Sequence, residues 1–119
     1  MVKIAIVGSR EGFSEKQVHT TLWMLTTHLT TSGTIIDGII SGGARGVDKF
    51  AESFAKKFGC NLEIIRPINP SIKKDYILRN IKIVDKADFV IAFWDGKSKG
   101  TKSVIDYCQK KDKNLKVIR

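Results

Sequence analysis

Apolar residues recur along this chain in two alternating rhythms. Short, nearly unbroken runs rich in β-branched residues give way to longer stretches in which apolar residues return every three or four positions. The first rhythm belongs to strands covered on both faces, the second to helices with one apolar stripe. Val2 to Val7 opens the series as a buried strand that stops at Gly8-Ser9-Arg10. Ser14 ahead of Glu15, Lys16 and Gln17 is a capping-box pattern, and Val18, Leu22, Leu25 and Leu29 follow at helical spacing. They predict a helix from Glu15 to Thr31, terminated at Gly33. Its many threonines are weak helix formers, so packing of the apolar stripe has to hold it.

Ile35 to Ser41 reads as the second strand, with its start near Asp37. Val47, Phe50, Ala51, Phe54, Ala55 and Phe58 mark a strongly amphipathic helix that stops at Gly59. Asn61 to Arg66 gives a third strand, and Pro67-Ile68-Asn69-Pro70 forbids regular structure beyond it. Tyr76, Ile77, Ile81 and Val84 predict a third helix over Lys73 to Lys86. Asp88 to Phe93 is the fourth strand, Trp94 to Thr101 a loop, Val104, Ile105 and Cys108 the stripe of a fourth helix, and Leu115 to Ile118 the last strand.

Five strands alternate with four helices, and no hairpin signal joins consecutive strands. Parallel strands need crossovers, and crossovers cover the sheet, so the fold class is α/β: a five-stranded, Rossmann-like three-layer α/β/α sandwich with a parallel sheet. At 119 residues the chain is expected to form a single domain over residues 1–119.

Composition narrows the function only a little. A formal net charge of +9 favours anionic partners: phosphate-bearing ligands, nucleic acid or an acidic surface. Lys56-Lys57 and Lys110-Lys111 read as ordinary solvated charge. No apolar run is long enough to span a bilayer and the N-terminus has no signal-peptide pattern, so a cytoplasmic location without membrane partners is expected. Cys60 and Cys108 stand alone, as small core or near-surface thiols of a reducing compartment. His19 and His28 are nine positions apart, too far for a helix-borne metal pair, and are expected to be solvated. No metal and no cofactor is expected.

The chemistry gathers at strand ends. Ile39-Ile40-Ser41-Gly42-Gly43-Ala44-Arg45-Gly46-Val47-Asp48 runs from a strand through three glycines and an arginine into a helix. Bare backbone N–H groups at a helix N-terminus, beside a guanidinium fork, make an anion pocket. Gly8-Ser9-Arg10 and the loop from Asp95 to Thr101 lie at the same edge of the sheet, where ligands of such folds bind, and Arg79-Asn80 leans toward it. The first loop lacks GxGxxG spacing, which disfavours an ordinary NAD site, and there is no GxxxxGK[ST] motif for a P-loop NTPase.

Together, Gly8-Ser9-Arg10, the GGARGVD run at 42–48, Arg79-Asn80, the strand Ala87 to Trp94 and Asp95-Gly96 through Gly100-Thr101 resemble the SLOG superfamily, and within it the small cpYpsA-related branch. The resemblance covers nearly the whole chain. It implies a strand order of 3-2-1-4-5 and a site for nucleotides or nucleotide-derived ligands, with Gly8, Ser9, Arg10, Gly42, Gly43, Arg45, Gly46, Asp48, Arg79, Asn80, Asp95, Gly96, Gly100 and Thr101 as its residues. The superfamily includes the lonely-guy phosphoribohydrolases, whose PGGxGTxxE motif falls here on Trp94 to Val104, and Val104 stands where their glutamate would be. A valine cannot move a proton.

Three readings stay open. The first is binding or sensing of a nucleotide-type phosphorylated ligand, with phosphate on the amides of Gly42 to Gly46, on Thr101 at the start of the fourth helix and on Arg45 or Arg79, and with Trp94 stacking a base. The second is cleavage of an N-glycosidic bond, with Asp48, Asp95 or Asp106 assisting water. The third, suggested by DNA-processing members of the superfamily, is binding of single-stranded nucleic acid through Lys97, Lys99 and Lys102. Trp23 and Met24 are the candidate contacts for a homo-oligomer.

Overall fold

Nine elements follow one another in strict alternation in the computed structural model, which describes residues 1–119. They are β1 (Val2–Gly8), α1 (Glu15–Thr31), β2 (Ile36–Ser41), α2 (Val47–Lys57), β3 (Leu62–Ile64), α3 (Lys73–Lys86), β4 (Phe89–Phe93), α4 (Lys99–Lys110) and β5 (Asn114–Ile118). All neighbouring strands pair in parallel, in the order β3-β2-β1-β4-β5. The chain builds outward from β1 through β2 to β3, then returns and builds the other way through β4 to β5. The order therefore reverses between β1 and β4, and the carboxyl ends of these two strands flank a crevice.

Each strand serves two cores because its side chains alternate between faces. Ile4, Ile6, Ile39, Ile91 and Phe93 point to the face covered by α1 and α2, where they pack with Val18, Leu22, Val47, Ala51 and Phe54. Ala5, Val7, Ile40, Val90 and Ala92 point to the face covered by α3 and α4, against Ile83, Val84, Val104, Ile105 and Cys108. This two-sided burial is what the unbroken apolar runs in the sequence encode. Burial also raises the Cys108 thiol to about 11, leaving it an inert core residue.

Three local expectations change. The third strand is only Leu62–Ile64, because the backbone N–H of Ile65 makes the last bond to Ser41 before Arg66-Pro67 turns away. His19 is only partly exposed: its Nε2 lies 2.8 Å from Ser53 Oγ and 3.0 Å from the Phe50 carbonyl, and its ring meets Phe54 edge-on, so it staples α1 to α2. Thr101 does not begin α4, since Ser98 is the N-cap and its Oγ accepts the Thr101 backbone N–H. Ser14 and Gln17 do form the capping box. Trp23 and Met24 are both exposed, with Trp23 packed on Phe58 at 5.1 Å between ring centroids. No helix is long and apolar enough to cross a membrane.

Candidate functional site

Beyond the carboxyl ends of β1, β2 and β4 lies a cleft of about 870 Å³. Its cationic side chains are Arg10, Arg45, Lys73, Arg79 and Lys99, and its carboxylates are Glu11, Asp48 and Asp95. All but Arg79, which sits in mid-helix, are delivered by a strand end or a helix start. Arg10 and Glu11 follow β1, Arg45 and Asp48 straddle the entry to α2, Lys73 and Arg79 come from α3, and Asp95 and Lys99 bracket the turn into α4.

Arg79 organises the wall. It is only 8% exposed; its Nη1 donates to the Gly42 carbonyl at 2.6 Å and its Nε to Asn80 Oδ1 at 2.8 Å. Its plane lies over the Tyr76 ring, 5.2 Å from the centroid. Asp48 approaches from the other side, and its Oδ2 accepts the Ala44 N–H at 3.2 Å. Burial pushes the Asp48 carboxyl up to about 6, against the pull of the Ala44 N–H and of Arg79. Burial likewise draws Arg79 below its usual value, with the Asp48 charge opposing.

The glycines act differently from the sequence expectation. A Cβ on Gly42 would fall 2.7 Å from Arg79 Nη1 and 2.8 Å from Asp48 Oδ2, so the absence of a side chain admits both charged groups against the backbone. A Cβ on Gly46, whose φ is +80°, would fall 2.4 Å from the Arg10 carbonyl oxygen, which joins the strand-one loop to the head of α2. These glycines bring the protein's own groups together as much as they bare amides.

Below the loop, Ser41 is fully buried; its Oγ donates to Glu52 Oε2 at 2.8 Å and accepts the Gly43 N–H at 3.1 Å. Lys49 pairs with the other oxygen of Glu52 at 3.3 Å. Ser9 is equally internal, accepting the Asp95 N–H at 3.2 Å and tying the strand-one loop to the strand-four loop. Asp95 spends one oxygen on the N–H groups of Lys97 and Ser98, both at 2.8 Å, and these bonds lower its pKa.

Of the residues named from sequence, Gly8, Arg10, Arg45, Asp48, Arg79, Asn80, Asp95, Gly100 and Thr101 line the cleft, and Gly42 and Gly43 line a hollow beside it. Ser9, Gly46, Trp94 and Gly96 line neither. Trp94 is committed elsewhere, its Nε1 donating to the Ser98 carbonyl at 3.1 Å and its ring covered by the Arg119 guanidinium at 4.7 Å. Asp106 is exposed on α4, paired with Lys102 and away from the cleft, so the three aspartates do not converge. Val104, 2% exposed, forms part of the cleft floor. No group of three or more His, Cys, Asp or Glu side chains is placed to hold a metal ion.

Sequence reasoning passed over Tyr76, Lys73 and Arg66. Tyr76 had a legible signal: it precedes Arg79 by three positions on α3, which puts the two on one helix face. Arg66 had none, because its place depends on how the chain leaves β3.

The chain superposes on DNA processing protein A from Helicobacter pylori, described with its mode of single-stranded DNA binding, at a TM-score of 0.72, with 26% identity over 98% of this chain and 64% of that one. It also matches DNA processing protein A from Streptococcus pneumoniae at a TM-score of 0.79, with 19% identity over 99% of this chain and 50% of that one. The chain carries the SLOG-superfamily fold. A third structure, TM1055, matches at a TM-score of 0.69 with 20% identity, over 97% of this chain and 72% of that one. The chain thus spans half to about two thirds of the length of the two DNA processing proteins. No protein-family model matches it, and no curated protein does.

Proposed function

We propose that residues 1–119 act as one binding domain for a nucleotide-type, phosphate-bearing ligand, held in the cleft at the carboxyl edge of the sheet. The observation that carries this reading is the convergence of Arg10, Arg45, Lys73, Arg79 and Lys99 on one cleft of about 870 Å³. That volume suits a nucleotide, and guanidinium forks suit phosphate oxygens. Two of the three opposing carboxylates are occupied by backbone N–H groups, Asp48 by Ala44 and Asp95 by Lys97 and Ser98. Their engagement, with Val104 in the floor, favours binding over hydrolysis. Isothermal titration with a panel of nucleoside monophosphates tests the proposal. Saturable one-to-one binding at physiological nucleotide concentrations is expected; no saturable heat with any of them sinks it.

A second reading is single-stranded DNA as the ligand. It is favoured by the likeness to the Helicobacter pylori protein and by the net charge of +9. The same cations would contact successive backbone phosphates, so affinity for an oligothymidylate should fall steeply as salt rises. Fluorescence anisotropy across a salt series separates the readings, because a flat response rules out the DNA one.

A further inference from the structure

Beside the cleft, and sharing Arg10, Arg45, Tyr76 and Arg79 with it, lies a second hollow of about 420 Å³. Its charged side chains are all arginines, Arg10, Arg45, Arg66 and Arg79, and no carboxylate lines it. None of Arg10, Arg66 or Arg79 forms a salt bridge, and Arg45 pairs only with Glu11, in an exposed contact at 3.1 Å.

Two of these guanidiniums reach backbone carbonyls of the glycine loop. Arg79 is nine-tenths buried; its Nε and Nη1 are bonded to Asn80 and Gly42, while its Nη2 makes no hydrogen bond within the protein. No buried polar side-chain atom is left without a partner, so Nη2 keeps some exposure, and Arg79 lines both the cleft and the hollow. Arg66 crosses Gly43, its Nη1 reaching the Gly43 carbonyl at 3.4 Å. A Cβ on Gly43 would fall 2.5 Å from that nitrogen, so the glycine keeps the place of Arg66 open. Four like charges in one concavity of a chain already carrying +9 repel one another, and an anion seated among them relieves that repulsion.

We propose that this hollow is a second phosphate subsite, so that the ligand of the cleft carries two phosphoryl groups: one held over the cleft and one between Arg66 and Arg79. This rests on the cleft being a nucleotide site, and it names the class within nucleotides. Two sources supply such chemistry, a nucleoside diphosphate and a 5′-phosphorylated dinucleotide, whose phosphates differ in spacing.

Isothermal titration of the wild-type chain and of Arg66→Gln with AMP, ADP and a 5′-phosphorylated dinucleotide tests the subsite. At least one of the two doubly phosphorylated compounds should bind about tenfold tighter than AMP. Arg66→Gln should abolish that preference and leave AMP affinity within about twofold, since Arg66 does not line the cleft and its only side-chain hydrogen bond is the long one to Gly43. Arg66→Lys should recover part of the preference, keeping the charge and losing the fork. Whichever compound shows the preference identifies the spacing. If AMP binds and neither doubly phosphorylated compound binds tighter, or if Arg66→Gln weakens all three alike, the subsite is wrong while the cleft reading stands. If none binds, both fall. Thermal unfolding of the variant confirms that it folds.

Discussion

Arg79 Nη1 donates a 2.6 Å hydrogen bond to the carbonyl of Gly42, bringing a buried guanidinium from α3 onto the first residue of the GGARG loop. Gly42 has no Cβ, and Arg79 Nη1 and Asp48 Oδ2 stand where one would fall. The loop that heads α2 is therefore held from above by a side chain of α3, across the face of the sheet.

Removing that side chain leaves the Gly42 carbonyl without its donor and the buried Asp48 without its counter-charge. Arg79→Ala should destabilise the chain by about 3 kcal/mol, at the upper end for losing a charged donor to a buried carbonyl. Arg79→Lys should recover only part, because one ammonium cannot reproduce bonds to both Gly42 and Asn80. Equilibrium urea unfolding measures both, and a loss below about 1 kcal/mol for the alanine variant contradicts the role assigned to Arg79.

Asp48 makes stability depend on pH in a direction opposite to most carboxylates. Its folded pKa of about 6 lies above the ordinary 3.8, so the folded chain binds the proton more tightly than the unfolded one. The associated stability is present below pH 3.8 and is lost as pH rises through about 6. Converted at 1.36 kcal/mol per unit, the loss is roughly 3 kcal/mol. Asp48→Asn should remove this dependence while keeping an acceptor for the Ala44 N–H. Unfolding free energies of wild type and variant from pH 4 to 7 should diverge across that window; parallel curves would contradict the assignment.

Gly46 and Gly59 both have positive φ, +80° and +68°, but only Gly46 is crowded. Gly59→Ala meets nothing within 4 Å and should cost about 1 kcal/mol of backbone strain. Gly46→Ala adds a collision with the Arg10 carbonyl and should cost several kcal/mol. Equal shifts in thermal unfolding would mean that the strand-one loop moves aside freely.

Ser41→Ala strips the hydroxyl that donates to Glu52 and accepts the Gly43 N–H in the buried floor of the loop. A cost of about 1–3 kcal/mol is expected, with faster amide exchange at Gly43 than in wild type. Unchanged exchange there would show that the loop does not depend on this support.

Element type and order were written in the local sequence. Unbroken apolar runs such as Val2 to Val7 and Phe89 to Phe93 specify strands buried on both faces, and the 3.6-residue stripe of Val47 to Phe58 specifies α2, because burial against a sheet demands those periods of a strand and a helix. That the loops after β1, β2 and β4 lie at one edge was legible too, since parallel α/β topology sends every βα loop to the same side of the sheet. Tertiary structure alone decided how side chains are spent at that edge. Trp94 turned to Ser98 and Arg119, Asp106 to Lys102, and Arg66 was carried over Gly43 by the turn after a shortened β3. Those outcomes depend on which groups meet across long separations in sequence, such as Arg79 with Gly42, and a local pattern of residue types carries no record of such distances.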